Sequence, residues 1–311
     1  MACFRIYNIQ LLPNDSAKIG EVGKEGYKTL FTELKKKVVT AKRARKLDPL
    51  AYILVNDTRF APFSISLKSK YATGEWIKFQ STDSLDDLYS DENLFKKKHG
   101  TAPISNKKNF TFLFDYETHR FAIDEYSNNL PSPATCLEAL EKTFEPLSKE
   151  FFPDYTLTIT LVSDSQKLDE VLANPHGFKR AEAKITFPNG NELTKLLRQF
   201  KRNSIHLAEA KVSTAGDGVI KKLPLYVKAM IEAAPDYGHA KITYLVKQGT
   251  TLRNKIFSTE KYPLKIKLKD IKNEQESGFF DRLLTRIREV TNASNQRLED
   301  ASARGENGDD L

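Results

Sequence analysis

The sequence predicts an α+β protein: mostly antiparallel sheet layers with helices packed on one side, then an amphipathic C-terminal helix and a disordered tail. Three observations carry that expectation. Alternating segments of strand length recur along the chain, interleaved with stripes of helical period. "NFTFLFDYETHRFAIDEYS" (109–127) reads as a hairpin turning near Glu117 and Thr118, so antiparallel pairing is written into the middle of the chain. Hydrophobic residues make up 40% of the composition and aromatic residues 10%, which is core material and not the composition of a disordered chain. At 311 residues the chain can hold one large core or two ordinary domains.

Taken in order, "CFRIYNIQLL" (3–12) alternates as a strand. "AKIGEVGKEG" (17–26) places glycines at 20, 23 and 26, a density that disfavours a helix interior and suggests a loop or a frayed helix start. From about Tyr27 a helix is expected, with Tyr27, Leu30, Phe31, Leu34, Val38 and Ala41 on one apolar stripe and Pro49 ending it. Residues 50–57, 63–71 and 74–81 read as strands, 84–98 as a polar segment with a short helix. "HGTAPISNKK" (99–108) combines Gly, Pro, Ser and Lys and is the expected domain boundary. After the hairpin come a helix at 132–152, with Ser132 as N-cap and Pro133 at its first position, a strand at 155–163 and a short helix at 165–174. A strand at 178–190, a helix at 191–203, a strand at 204–214, a helix at 222–238, and strands at 239–249 and 262–269 complete the layers. "AEAKIT" (181–186) and "AEAKVS" (208–213) form a small repeat that turns Ala and Ile or Val one way and Glu and Lys the other. The stripe Phe280, Leu283, Leu284, Ile287 and Val290 marks the C-terminal helix, offered either for self-association into a homodimer or for packing on its own domain. The expected organisation is therefore 1–105, a strand, basic-helix and β region; 106–272, an α+β domain; and 273–311, the amphipathic helix and flexible tail.

Several classes are set aside on composition. No apolar run is long enough to span a membrane, and the first residues read as a strand and not as a signal peptide. Cys3 and Cys136 are too few for a disulfide framework and fit a reducing cytoplasm. The histidines at 99, 119, 176, 206 and 239 are isolated, so no metal is expected. "IGEVGKEGYKT" lacks the Lys-Ser/Thr pair of a phosphate loop, and no cofactor is expected. No serine or cysteine sits in a nucleophile motif, so no catalytic residue is assigned. "PD" at 153–154 with "EAK" at 182–184 echoes a magnesium nuclease pattern, but the second "EAK" at 209–211 shows that the tripeptide also suits an ordinary amphipathic strand.

What remains is charge. The chain carries a net +8, and "KKKVVTAKRARK" (35–46) holds cations with no acid among them. A solvated helix face normally mixes signs, because Glu–Lys pairs at i,i+4 each stabilise by roughly 0.2–0.5 kcal/mol. Crowded like charges point instead to an external polyanion. The candidate nucleic-acid-binding residues are Lys35, Lys36, Lys42, Arg43, Arg45 and Lys46; Lys96, Lys97, Lys98, Lys107 and Lys108; and Arg198, Lys201 and Arg202. Lys265, Lys267 and Lys269 share one face of a strand. A protein-interaction or sensor module is the alternative, and a metal-dependent nuclease the third.

Residues 105–270 also resemble a poorly characterised bacterial family found beside anti-phage genes. The likeness rests on Arg120–Phe121 in the Phe-rich hairpin, "KLDEVL" (167–172) and the strand ending Phe187–Pro188–Asn189. More remotely, size, basic charge and α+β layout are similar to the RexA phage-exclusion proteins and the ring-forming RdgC DNA binders. The resemblance implies a dimeric, sequence-tolerant DNA-binding protein (DNA before RNA) acting in phage exclusion, with a partner protein from a neighbouring defence gene. It assigns no site residue.

Overall fold

The computed structural model describes the chain apart from residues 16–17, 100, 126–128, 175, 187–204, 206, 217 and 307–311, with side chains as far as residue 300. In chain order the elements are β1 (Ala2–Pro13), α1 (Gly23–Arg43), β2 (Tyr52–Ile53), β3 (Thr58–Leu67), β4 (Tyr71–Ser81), β5 (Ser84–Asp86), β6 (Asn93–Lys96), β7 (Ile104–Asp115) and β8 (Arg120–Asp124). Then follow α2 (Pro133–Phe151), β9 (Tyr155–Leu161), α3 (Ser165–Leu172), β10 (Phe178–Thr186), β11 (Leu207–Ser213), α4 (Leu225–Tyr237), β12 (Gly238–Gln248), β13 (Thr251–Ser258), β14 (Lys265–Leu268) and α5 (Glu276–Glu306). The α+β class is as expected, and every strand pairing among the described residues is antiparallel.

An eight-stranded sheet runs β14-β1-β8-β7-β4-β3-β2, with β9 also on β1. β1 is long enough to serve two neighbours on one edge: Ala2–Arg5 pair with β14 and Tyr7–Pro13 with β9. One face of this sheet is paved with aromatics and covered by α1 and α2. Phe31 of α1 lies 4.6 Å, centroid to centroid, from Phe114 and 5.4 Å from Phe144 of α2. That burial explains why α1 starts at Gly23, ahead of the expected Tyr27. Gly23 itself sits at φ 64, where a side chain would be strained, and the stripe Tyr27, Leu30, Phe31 and Leu34 outweighs the weak helix propensity of the glycines around it. The opposite face, with Phe4, Ile6, Leu113 and Ala122, is covered by Phe280, Leu283, Leu284 and Ile287 of α5. The stripe offered for self-association is thus already buried within the chain.

The second sheet runs β11-β10-β12-β13 and carries α4 on its small-residue face. Here the repeat finds its reason. β10 and β11 pair Glu182 with Lys211, Ala183 with Ala210 and Lys184 with Glu209, so the two copies match crosswise. Lys184 and Glu209 close to 2.8 Å. Ala181, Ala183 and Ala240 meanwhile leave room for Val227, Ile231 and Ala234 of α4.

Four expectations are corrected. Residues 50–57 hold only the short β2 between two single 3₁₀ turns, since Asn56 and Asp57 take left-handed φ values of 56° and 52° and break the strand. Residues 84–98 are a two-stranded hairpin, not a helix. The Asp87 side chain accepts from the N–H groups of Tyr89 and Ser90 at 2.9 and 2.8 Å, and this local turn outcompetes a helical one. The stretch 99–108 runs into β7, a central strand, so the large sheet continues across the expected boundary at 105. The C-terminal helix extends past residue 290 to Glu306, and Leu298 is buried against the second sheet's core. The expected helix at 191–203 lies outside the described residues.

The turn between β7 and β8 holds His119 at φ 59 with its ring 4.2 Å from Tyr27. Burial, and then the neighbouring Arg120, hold its pKa down at about 4 against the opposing pull of Asp115. The native state therefore binds fewer protons than the unfolded chain between its ordinary value of 6.5 and about 4. Stability rises with pH across that window and is lost as the solution is acidified. His119→Asn, which tolerates the left-handed turn, should flatten the urea midpoint between about pH 7 and pH 5. An unchanged slope would show that His119 does not set it.

Candidate nucleic-acid interface

The basic run divides into two classes of cation. Lys36 meets Glu33 at 2.6 Å, one turn back, and Lys37 meets Glu150 of α2 at 2.6 Å. Those two charges belong to the fold. Lys35, Lys42, Arg43 and Lys46 form no ion pair with any described residue. The helix ends at Arg43, not near Pro49, because Arg45 adopts φ 54. Arg45 and Lys46 therefore leave the helix axis and stand exposed just beyond its last turn. Lys42 and Arg43 in that turn interact favourably with the helix dipole, which is worth roughly 0.3–1 kcal/mol each and accounts for part of their presence.

The dipole does not account for the geometry around Phe63. Lys42 Nζ lies 3.9 Å from the centre of the Phe63 ring, and Lys107 Nζ lies 4.8 Å from the same centre. Two ammonium groups from distant parts of the sequence share one half-buried ring. Each sheet element that brings them there carries an irregularity. In β3 the register slips between Pro62 and Ser64, so Phe63 is the extra residue of a bulge. In β7 it slips between the levels of Lys78 and Gln80, where Asn106 takes φ 52 and donates to Gln80 Oε1 at 2.7 Å. Asparagine tolerates that conformation better than most residues, and its place before Lys107 is the local signal for the bulge.

Lys108 faces Lys78 across the β4–β7 ladder and enlarges the same basic surface. Burial, with Lys108 adding to it, pushes the Lys78 ammonium below its ordinary value, and Lys78 donates to the main-chain oxygen of Asn129. The interaction of an ammonium with an aromatic face is worth roughly 0.5–1 kcal/mol at an exposed site. Phe63 thus holds two cations in place that no described carboxylate neutralises.

The remaining candidates are more scattered. Lys96 ends β6 and Lys97 and Lys98 follow it, all three exposed, and Lys97 is paired with Asp83 at 2.9 Å. Arg198, Lys201 and Arg202 lie outside the described residues. Lys265 of β14 is engaged with the buried Glu125 at 2.7 Å. Of the residues in the nuclease pattern, Glu182 is paired with Arg180 at 2.5 Å and Lys184 with Glu209 at 2.8 Å. No group of three His, Cys, Asp or Glu among the described residues could hold a metal. Cys3 and Cys136 are free thiols. No helix among the described residues is long and apolar enough to cross a membrane.

Sequence reasoning found Lys42 and Lys107 but missed Phe63, which joins them, because no linear spacing announces a ring placed by two bulges. No curated protein matches the chain. Residues 3–288, which take in the large sheet, the second sheet and most of the buried C-terminal stripe, match the family model described as a domain of unknown function (DUF4747), and the chain belongs to that family.

Proposed function

We propose that this protein binds nucleic acid, DNA before RNA, through its phosphate backbone, and that the last turns of α1 and the bulged parts of β3 and β7 form the contact surface. The observation that carries this reading is the pair Lys42 and Lys107 over Phe63, both exposed and neither matched to a described carboxylate. Lys35, Arg43 and Lys46 extend the surface along and beyond the helix, and Lys108 extends it along the sheet. A role in phage exclusion rests on the layout resemblance of residues 105–270 and is part of the same proposal. A protein-interaction reading is favoured by one feature, the β5–β6 hairpin, whose tip exposes Leu88 at 83% and Tyr89 at 93%.

Binding of random-sequence duplex DNA, single-stranded DNA and RNA across a salt series tests the proposal. Each phosphate contact contributes about 0.9 to the log–log salt slope on duplex DNA. Lys42→Glu with Lys107→Glu should therefore weaken binding and lower that slope by about two, while Lys36→Gln, whose partner is Glu33, should change little. Absent affinity at low salt, or affinity that survives the double reversal, would overturn the reading.

A further inference from the structure

Among the described residues, β9 is bonded along one edge only. Asn14 N–H donates to Asp154 O at 2.8 Å below the strand, and Val162 N–H donates to Ile6 O at 3.0 Å above it. Between these anchors the register is unbroken, so the even-numbered residues of β9 bond to β1. Leu157, Ile159 and Leu161 turn their N–H and C=O groups the other way, where no described group pairs with them.

That edge lies in a cleft of about 1000 Å³, walled on one side by α2 and on the other by the second sheet and the turn Thr259–Lys261. All of β9 lines it. Natural sheets guard an open edge with lysine, proline or a bulge, because unpaired strand groups recruit other strands. The sequence of β9, Tyr-Thr-Leu-Thr-Ile-Thr-Leu, carries none of these guards. Two hydroxyls lining the cleft, Thr160 Oγ1 and Ser163 Oγ, are buried without a hydrogen-bond partner among the described residues, and Ser163 is 4% exposed.

We propose that β9 receives an extended segment of a partner protein by strand addition, with a basic side chain of that segment set against Glu141 of α2. Strand addition supplies main-chain bonds for affinity and alternate side-chain contacts for selectivity. The recessed position of the edge argues for a single strand as occupant. The same edge of a second copy stands between the same walls and cannot be brought alongside. The charge of the inserted residue is read from the α2 wall. Lys149 and Lys184, which also line the cleft, are held by Glu145 and Glu209, and Lys261 stands in the turn on the other wall. Glu138 accepts from Tyr52 and Glu145 holds Lys149 at 2.6 Å, but Glu141, which lines the cleft, has no cation among the described residues. Burial, then Glu138 and Glu145, push the Glu141 carboxyl up, a penalty that a neighbouring cation would offset.

A displayed library of short random peptides, panned on the full chain and on Leu157→Pro, tests this. Proline at 157 removes an outward N–H and leaves the β1 ladder intact, a position where edge strands tolerate it. Thr158→Pro, which removes an N–H bonded to β1, serves as the folding control and should lower Tm. Enriched peptides should carry Lys or Arg, bind Leu157→Pro about tenfold more weakly and lose binding to Glu141→Lys. Alternate-residue N-methylation of an enriched peptide should abolish binding in one frame and spare it in the other, a readout that needs no variant of this chain. The proposal is overturned if no peptide is enriched over Leu157→Pro, if both methylation frames bind alike, or if Glu141→Lys binds unchanged. Concentration-dependent self-association lost in Leu157→Pro would overturn it in favour of a second copy.

Discussion

Asp236→Ala should cost about 3–5 kcal/mol of stability, the usual loss when one member of a buried ion pair is removed. Asp236 closes α4 and is 3% exposed; its partner Arg120 lies on β8 of the large sheet and is 2% exposed. Arg120 donates to Asp236 Oδ1 at 3.1 Å and to its main-chain oxygen at 3.3 Å. The other carboxylate oxygen accepts from Ser294 on α5, and the main-chain oxygen also accepts from Asn8 of β1 at 3.5 Å. One carboxylate thus ties together the large sheet, the helix of the second sheet and the C-terminal helix. Removing it leaves the Arg120 guanidinium buried without a counter-charge, and that desolvation penalty dominates the loss. The double replacement Arg120→Met with Asp236→Leu should recover most of it, since neither charge then has to be buried. Urea denaturation of the two single variants and the double would decide. A single-variant loss below about 1 kcal/mol would show that water reaches the pair.

None of that network is visible in the sequence. Arg120 and Asp236 are far apart along the chain and each has ordinary neighbours; only the folded topology places them together. The local elements were far more legible. Ser132 and Pro133 start α2 as their types require, with Ser132 Oγ accepting from Thr135 N–H at 3.2 Å. The Phe-rich hairpin turns where its polar residues said it would. The "AEAK" repeat declared two half-buried strands, although their crosswise charge matching needed the antiparallel register to appear. The errors came where short-range hydrogen bonds or left-handed residues compete with periodicity: Asp87 at the β5–β6 turn, Asn56 and Asp57 before β3, and Arg45 at the end of α1.

The candidate interface follows the same division. The basic run was legible as a run, but its members turned out to have unlike fates. Lys36 and Lys37 are absorbed by Glu33 and Glu150, an outcome decided by one helical turn and by the packing of α2 on α1. Lys42 keeps its charge and gains a ring. A composition argument weighs all seven cations of the run alike, whereas the structure sorts them by what stands opposite each one. The open edge of β9 was equally hidden. Alternation in "YTLTITL" announces a strand but not whether one edge or both will be paired.

A second buried network should make the protein acid-labile. Glu125, next to the end of β8, is 4% exposed and serves as the counter-charge for two cations. Its Oε1 accepts from Arg5 Nε at 3.0 Å and Nη2 at 2.7 Å, and its Oε2 stands 2.7 Å from Lys265 Nζ on β14. Arg5 also donates to the main-chain oxygen of Pro131 at 2.7 Å, so the group pins the loop leading into α2 against β1. Burial alone would raise the Glu125 pKa, but the hydrogen bonds from Lys265 and Arg5 more than reverse it and hold the carboxyl below its usual 4.5. A depressed folded-state pKa means that the stabilisation is complete above the unfolded value and is lost as pH falls through the folded one. Glu125→Gln should therefore be destabilised by about 3–5 kcal/mol at neutral pH, because two cations lose their shared partner and one of them is buried. Below about pH 4 the difference from the natural chain should shrink, since protonation removes the same charge there. Urea midpoints of both proteins across an acid series would test it; curves that stay parallel down to the lowest pH would show that Glu125 does not carry the charge this network requires.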